Sequence, residues 1–267
     1  VYKRQAGDCE RREIRLESLV DVEHWPDLID DVDTVLNCVG ILRQRGASSY
    51  DRVHHLAPEA LAATCAALGK RLVHVSALGL HADARSRFLT SKLAGEHRIR
   101  MSGADWVLVR PSLIDGEDGF GARWIRGIAK LPFYAAPMDA GGRIAALDAD
   151  DLGEALARLC LDSATELDLG RSRVFELGGT EALVFRDYVT GMRRNYTAAP
   201  HLRIPVPGLL ARLFAHLCDV FHVTPFSFGH YELLKRDNVP EPNRLPELLG
   251  RQPIAVAPRA SQAAPNS

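Results

Sequence analysis

The sequence predicts an α/β fold in which a mainly parallel β-sheet carries helices on both faces. Short apolar runs, typical of buried strands, alternate along the chain with longer segments of helical periodicity. The turns between them are short, so the strands need right-handed crossover connections, which build a parallel sheet covered by helices. The 267 residues are 46% hydrophobic and 25% charged, a composition that suffices for a sizeable core.

The first half of the chain contains the clearest strand and helix patterns. Residues 13–20 alternate apolar and polar side chains and predict a strand, and residues 21–31 have the apolar spacing of a short helix. The elements that follow alternate regularly. We expect a strand over 34–40, a helix over 49–68 that Gly69 ends, a strand over 71–76, a helix over 86–101 and a strand over 106–110.

The second half is looser and predicts a smaller C-terminal α/β portion that would bind the substrate. Its most amphipathic segment covers residues 209–222, whose large apolar residues share one face. Arg212 and Asp219 are its one charged pair and give it no basic face, so we expect this helix to pack into the core instead of against a membrane or partner. The other elements expected here are helices over 122–130, 150–161 and 185–195 and a strand over 173–177.

Composition excludes several classes of protein. Lys and Arg number 33 against 34 Asp and Glu, and a nucleic-acid-binding protein would carry a basic surplus. No run of 18 apolar residues occurs, so we expect no membrane-spanning helix. The five cysteines are odd in number and have no Cys-x-x-Cys spacing, which is typical of free thiols in a reducing compartment. We therefore expect a cytoplasmic protein, with the periphery of the inner membrane as a second possible location.

The domain organisation follows from these patterns. Residues 1–5 resemble a translated sequencing adaptor, and we expect them to be a scar on a chain whose first strands are missing. The predicted units are the scar at 1–5, a partial ligand-binding domain at 6–118, a C-terminal substrate or lid portion at 119–250 and a disordered tail at 251–267.

Three short motifs lie where a parallel sheet binds ligands, beyond the carboxyl ends of its strands. Asn37 to Gly40 ends one strand, and a glycine there allows a ligand to approach the backbone closely. Ser76 follows the next strand. Phe88 and Lys92 lie four residues apart on the following helix and so share one of its faces. Each motif alone also fits an ordinary strand end, loop or solvated helix, although Lys92 is one of only five lysines.

Taken together, these motifs resemble the short-chain dehydrogenase/reductase superfamily. The greatest likeness is to its extended or atypical branch, which includes the nucleotide-binding accessory subunit of respiratory complex I and related bacterial NAD-dependent epimerase/dehydratase-like proteins. Spacing and order agree over residues 13–250. The matching stretches are 35–42, 72–79, 91–96, 106–112, 147–152 and 233–239.

The resemblance implies a Rossmann-type domain that binds NAD(H) or NADP(H). Gly40 would pass near the adenosine half, Lys92 would hydrogen-bond the nicotinamide ribose, and Pro111 with Ser112 would lie near the nicotinamide. The implied cofactor-binding positions are Asn37, Gly40, Ser76, Lys92, Pro111 and Ser112. An unidentified small molecule or protein, in a respiratory or quinone-related setting, would be the second partner.

One departure from the superfamily concerns catalysis. Its catalytic positions correspond here to Ser76, Phe88 and Lys92, and the superfamily has a proton-donating tyrosine where this chain has Phe88. The loss of a positioned general acid typically costs about 10²–10⁴ in rate. His74 and Tyr134 are conceivable substitutes. We therefore expect a weak or non-catalytic accessory or redox-sensing factor, and two alternatives stay open: an active reductase or sugar-nucleotide epimerase with a substitute donor, and a structural interaction module without cofactor.

A second departure concerns the pyrophosphate of the cofactor. No Gly-x-x-Gly-x-x-Gly turn occurs near the N-terminus, although such a turn holds the pyrophosphate in this fold. We expect the intact protein to bind dinucleotide and this chain to bind it weakly or not at all. We expect no metal site, since His54 and His55 belong to no ligand motif, and Asp148, Asp150 and Asp151 are better explained by helix capping.

Overall fold

The computed structural model describes residues 12–117, 119–199, 202–221 and 226–256. The predicted scar and residues 257–267 of the predicted tail lie outside these ranges. The strands of the described residues are β1 Thr34–Asn37, β2 Arg71–Val75, β3 Asp105–Pro111, β4 Ile114–Asp115, β5 Phe133–Pro137, β6 Arg143–Ile144, β7 Leu147–Asp148, β8 Val174–Leu177, β9 Leu183–Val184 and β10 Leu202–Val206. The helices are α1 Pro26–Ile29, α2 Ala57–Leu68, α3 Arg87–Met101, α4 Phe120–Lys130, α5 Ala149–Leu161, α6 Phe185–Arg193, α7 Gly208–Phe221, α8 Phe228–Leu234 and α9 Leu245–Leu249.

The main sheet confirms the predicted architecture. Its four described strands run in the order β1-β2-β3-β8 and all pair in parallel. Side chains alternate between two cores, as the period of a strand requires. Leu72 and Leu108 pack against α2 and α3 on one face, whereas Val73, Val107 and Val109 pack against α5 and α9 on the other. Helices therefore cover both faces of a buried parallel sheet.

The C-terminal portion is not separate from this sheet. β8 completes the sheet edge next to β3, and α5 and α9 cover one of its faces. The remaining C-terminal elements form a smaller unit in which β5 pairs with β10 and α4 packs on α6. A buried contact joins that unit to β4, because the Tyr188 hydroxyl donates to Asp115 Oδ2 at 2.8 Å and Arg126 pairs with the other oxygen of the same carboxylate.

The prediction of a strand over residues 13–20 is wrong. Leu16–Ser18 forms a 3₁₀ turn, closed by the Leu19 N–H on the Leu16 carbonyl at 3.0 Å. The Ser18 hydroxyl also donates to the Arg15 carbonyl at 2.7 Å, which favours the turn over an extended chain. Leu16 is buried against the α2 side of the sheet. A short alternation of apolar and polar residues therefore does not require a strand, because here it buries a single leucine in a turn.

The prediction that α7 packs its large apolar face into the core is also wrong. Its limits agree with the prediction, but the residues it buries are the small ones, Ala211, Ala215 and Cys218. Small side chains allow the helix to approach β5 and α8 closely, and this turns the large side chains outward. The exposed apolar residues of α7 are Leu209, Leu210, Leu213, Phe214, Leu217, Val220 and Phe221.

The carboxylates near the start of α5 have structural roles. Asp148 caps the helix, accepting from the N–H groups of Asp150 at 2.9 Å and Asp151 at 3.3 Å, as the capping interpretation predicted. Asp151 is fully buried and accepts from the Arg251 guanidinium at 2.7 Å and from the Ile254 N–H at 2.6 Å. The chain after α9 is thereby attached to α5.

No helix of the described residues combines the length and the apolar character that crossing a bilayer requires. Nor do those residues include any group of three or more His, Cys, Asp or Glu side chains placed to hold a metal ion.

Candidate functional site

The predicted site residues lie at the carboxyl edge of the main sheet. Asn37 is the last residue of β1, Ser76 directly follows β2, and Pro111 is the last residue of β3. The register places Asn37 opposite His74, and the Ser76 N–H donates to the Val109 carbonyl at 2.7 Å. Parallel strands bring their carboxyl ends to one edge, where ligands of such sheets bind.

The ammonium of Lys92 lies beside Gly40. A Cβ atom added to Gly40 would be 3.7 Å from Lys92 Nζ and 3.7 Å from His54 Nε2. No hydrogen bond or ion pair joins Lys92 Nζ to a described residue, and burial lowers the pKa of this lysine to about 8, while the nearby Glu96 carboxylate opposes that shift. A half-buried ammonium next to bare backbone suits a polyhydroxyl or anionic ligand.

His54 forms the wall of this site opposite α3. It lies in a π-helical segment, Arg52–Leu56, and its Nε2 accepts the Ile41 N–H at 3.1 Å. Its Nδ1 donates to the Ser91 hydroxyl at 3.1 Å, and that hydroxyl donates to the Phe88 carbonyl at 3.1 Å. Burial lowers the pKa of His54 to about 3, with the Lys92 charge as the next cause. The imidazole is therefore neutral and has a fixed tautomer.

Asn37 and His74 form a second buried pair at the ends of β1 and β2. Asn37 Nδ2 donates to His74 Nδ1 at 3.1 Å, and Asn37 Oδ1 accepts the Val39 N–H at 3.0 Å, which fixes the orientation of the amide. Burial lowers the pKa of His74 to about 3, so this imidazole is also neutral. His74 is thus no reservoir of protons near pH 7. Tyr134, the other conceivable donor, packs in the separate α4–α6 cluster.

The Phe88 ring is enclosed by other rings. Its centroid lies 5.8 Å from that of Tyr50, 5.6 Å from that of His54 and 5.7 Å from that of His230. α8 covers this cluster so closely that a Cβ on Gly229 would lie 3.0 Å from the Phe88 side chain. The Lys92 ammonium is 5.8 Å from the ring centroid. Phe88 is therefore an apolar ring within an aromatic cluster.

Ser76 adjoins a buried ion-pair network. Its hydroxyl makes no hydrogen bond of good geometry with a described residue. It nevertheless lies close enough to Glu96 to help lower the pKa of that carboxyl. Glu96 is buried and receives a two-pronged contact from Arg110, with N···O distances of 2.9 and 2.6 Å. Burial raises the pKa of the Glu96 carboxyl, but the hydrogen bonds and charge of Arg110 lower it by more, so the net shift is downward.

Ser112 has a structural function in addition to its predicted one. Its hydroxyl donates to the Asn238 carbonyl at 2.6 Å and accepts from the Ala145 N–H at 3.1 Å. Its own N–H donates to the Leu177 carbonyl at 2.8 Å. Ser112 lies at the predicted edge of the sheet, but its hydroxyl proton is already donated to Asn238, and its three hydrogen bonds join the segments of Ala145, Leu177 and Asn238.

Residues that the sequence motifs did not indicate complete the site. They are Tyr50, His54, Glu96, Arg110 and His230. His54 was considered only as a metal ligand, while Glu96 and Arg110 lay inside matching stretches without an assigned role. A helical face common to Tyr50 and His54, four residues apart, was the available signal for the first two.

Comparison with known proteins agrees with this architecture. The chain is 25% identical over 217 residues to a ceramide reductase of Caulobacter vibrioides, a match that covers 80% of this chain and 67% of that protein. A UDP-glucuronic acid 4-epimerase from Bacillus cereus, solved with UDP-glucuronic acid and NAD, superposes with a TM-score of 0.57 at 15% identity, covering 88% of this chain and 75% of that one. A dTDP-4-dehydrorhamnose reductase from Bacillus anthracis, solved with NADP, gives a TM-score of 0.57 at 14% identity over 73% of this chain and 74% of that one. No protein-family model matches the chain.

These similarities confirm the predicted Rossmann-like α/β fold. The two similar structures contain NAD and NADP, respectively.

Proposed function

We propose that this protein is an extended short-chain dehydrogenase/reductase-like protein that binds NAD(P)(H) and has weak or no catalytic activity. The observation that carries the proposal is the pairing of Phe88 with Lys92: the ammonium is available at the sheet edge, whereas the neighbouring ring has no proton to give. In this proposal the protein is a cytoplasmic accessory or redox-sensing factor. The resemblance to the complex I subunit favours a respiratory or quinone-related setting.

The described residues fit the proposed cofactor in one half of the site. Lys92 would donate to the hydroxyls of the nicotinamide ribose. Gly40, where an added Cβ would lie 3.7 Å from Lys92 Nζ, would line that half of the site and not the adenosine half, together with Asn37. The neutral, fixed imidazole of His54 would keep the Ile41 and Gly40 backbone in place. Bound cofactor would supply the hydride, but Phe88 could only pack against it. Without a positioned acid, the oxygen of a carbonyl substrate would gain no proton from this position.

A second candidate function is an active reductase with a substitute proton donor. Two observations favour it. The relative from Caulobacter vibrioides is a reductase of a lipid, and the Tyr50 ring lies edge-on to the Phe88 ring with its hydroxyl donating to the Leu42 carbonyl at 2.9 Å. A small rotation of Tyr50 would offer that phenol to a substrate, although burial raises its pKa to about 12.

Phe88→Tyr separates the two candidates. We expect the wild-type chain to oxidise NADPH or NADH very slowly with a ceramide-type ketone or a sugar nucleotide, and the tyrosine variant to be faster by about 10² or more, because a general acid is restored. Phe214→Tyr on α7 is the matched control and should have no effect. A substantial wild-type turnover that Tyr50→Phe abolishes and Phe88→Tyr leaves unchanged would establish the second candidate instead.

Cofactor binding is tested by titration. We expect weak but saturable binding of NADH or NADPH, since the glycine turn for the pyrophosphate is absent from the sequence, and saturation-transfer NMR detects binding in that range. Lys92→Met should weaken it about tenfold, the loss of one charge-assisted hydrogen bond. Lys70→Met, near the opposite end of β2, should leave it unchanged. Absence of saturable binding in the wild type would favour the interaction module without cofactor.

A further inference from the structure

The outer face of α7 takes no part in the proposed function. Its seven large apolar residues have exposed fractions of 46% to 80%. In helical projection, at 100° per residue, they form one uninterrupted arc, with the buried small residues on one side of it and Arg212, His216 and Asp219 on the other. A monomeric protein rarely leaves such a continuous apolar surface in water.

The neighbouring strands β5 and β10 also expose apolar side chains. α7 packs against β5, and β5 pairs with β10 so that Phe133 lies opposite Leu202 and Ala135 opposite Ile204. Phe133, Leu202 and Ile204 are all exposed. Paired residues of a parallel ladder project from the same side of the sheet. A second group of apolar side chains therefore accompanies the helix.

Basic residues outnumber acidic ones in the segments that build this surface. Residues 119–138 and 188–218, which supply α4, β5, β10 and most of α7, contain no Asp or Glu. The basic residues of the same segments that are exposed are Arg123, Lys130, Arg194, Arg203 and Arg212. Acidic and basic residues balance over the whole chain, so the absence of acidic residues from these segments gives them a local excess of positive charge.

Two of the acidic residues that border these segments are already paired. Asp219 pairs with Arg43 at 2.5 Å and accepts the Phe228 N–H at 3.0 Å. Asp139 accepts from the Tyr231 hydroxyl at 2.6 Å and pairs with Lys235 at 3.0 Å. They leave the excess of positive charge around the apolar arc uncompensated.

We infer that α7 docks on the surface of a lipid bilayer that contains anionic lipids. An amphipathic helix of this kind lies in the plane of the interface, its apolar arc among the acyl chains and its basic neighbours near the headgroups. α7 has 14 residues and is about 21 Å long, which suits a helix that lies on a membrane and is too short to span one. A second copy of the chain fits less well, since a twofold contact would bring the basic residues of both copies together.

Vesicle sedimentation with the full chain tests this inference without reference to cofactor or activity. We expect binding to vesicles of phosphatidylcholine mixed with phosphatidylglycerol, much weaker binding to phosphatidylcholine alone, and a decrease as salt is raised. The double substitution Leu213→Glu with Leu217→Glu should reduce binding by about tenfold or more, because two charges would enter the apolar arc. Both side chains are exposed, so circular dichroism should show an unchanged fold.

The matched control is Leu161→Glu, which alters an 83% exposed leucine at the end of α5 and should leave vesicle binding unchanged. Equal sedimentation of wild type and the α7 double variant would overturn the inference, as would failure to bind either kind of vesicle. Light scattering in lipid-free buffer measures the oligomeric state and so tests whether a second copy of the chain covers this surface. A dimer that the α7 substitutions convert to monomer would assign the surface to a second copy.

Discussion

The charge of Lys92 suits a ligand at the sheet edge, but it makes the folded state less stable. Burial lowers its pKa from 10.5 to about 8, so the folded chain holds this proton less firmly than the unfolded chain does. Between pH 8 and 10.5 the unfolded state binds more protons, and the free energy of unfolding must therefore rise with pH in that window. Below pH 8 the fold carries the full penalty of the buried ammonium.

We accordingly predict that Lys92→Met stabilises the protein at pH 7, by an amount on the order of 2 kcal/mol, and that the gain shrinks as pH approaches 10.5. Urea unfolding of both proteins at pH 7 and pH 10 measures this. Lys70→Met, whose ammonium is exposed and donates to the Asp30 carbonyl at 3.0 Å, should show no such pattern. A destabilised Lys92→Met variant at pH 7 would contradict the prediction.

Single residues were predicted best where their function is local. Phe88 and Lys92 were found from a spacing of four on one helix, and the structure places both at the expected edge. The rings around Phe88 were not found, because Tyr50, His54 and His230 reach it from two other elements. The spacing of Tyr50 and His54 indicates only that they share a face; which rings that face meets depends on how the helices pack against one another.

At the level of elements, the contact between α3 and the π-helical segment is the closest in the site. Gly95 of α3 faces the His54 carbonyl, and a Cβ on this glycine would lie 1.9 Å from that oxygen. The segment interrupts a helix that the sequence predicted as continuous over 49–68. Pro58 accounts for the interruption, because a proline has no N–H to donate to the carbonyl of His54, four residues earlier, and its ring crowds that carbonyl.

We predict that Gly95→Ala lowers the free energy of unfolding by about 2 kcal/mol or more, because the two backbones must separate. The shift would displace His54 and weaken cofactor binding as well. Gly127→Ala on α4 is the control: no heavy atom would lie within 4 Å of its Cβ, and alanine is the better helix former by roughly 1 kcal/mol. Thermal unfolding of both variants tests this, and equal or greater stability of Gly95→Ala would refute the prediction.

Two elements were predicted wrongly for the same physical reason. The alternation over 13–20 and the apolar arc of α7 were both assigned to the core from polarity alone. In the structure the first is a 3₁₀ turn with one buried leucine, and the second is exposed while its alanines are buried. Polarity patterns predict which side chains share a face, but the packing partner decides which face is covered.

For the molecule as a whole, buried neutral histidines predict sensitivity to acid. Burial lowers the pKa of His54 and His74 to about 3 and that of His230 to about 4. The unfolded chain takes up these protons near pH 6.5 while the folded chain does not, so stability is lost as pH falls below 6.5. Much of this loss comes before most carboxylates titrate.

We predict a steady fall in the urea midpoint between pH 6.5 and pH 5. His74→Asn, which retains an oxygen to accept from Asn37, should make that fall shallower, and His97→Asn at an exposed position of α3 should not. Identical pH profiles for all three proteins would show that the histidines do not govern acid sensitivity.

The fully buried carboxylate of Asp151 on α5 depends for its hydrogen bonds on residues near the end of the described chain. Both of its tertiary partners, the Arg251 guanidinium and the Ile254 N–H, lie beyond α9. A carboxypeptidase that trims the protein past Arg251 would strand an anion in the interior, on the helix that covers one face of the sheet. Loss of the segment that contains Arg251 and Ile254 should therefore destabilise α5 and lead to cooperative unfolding.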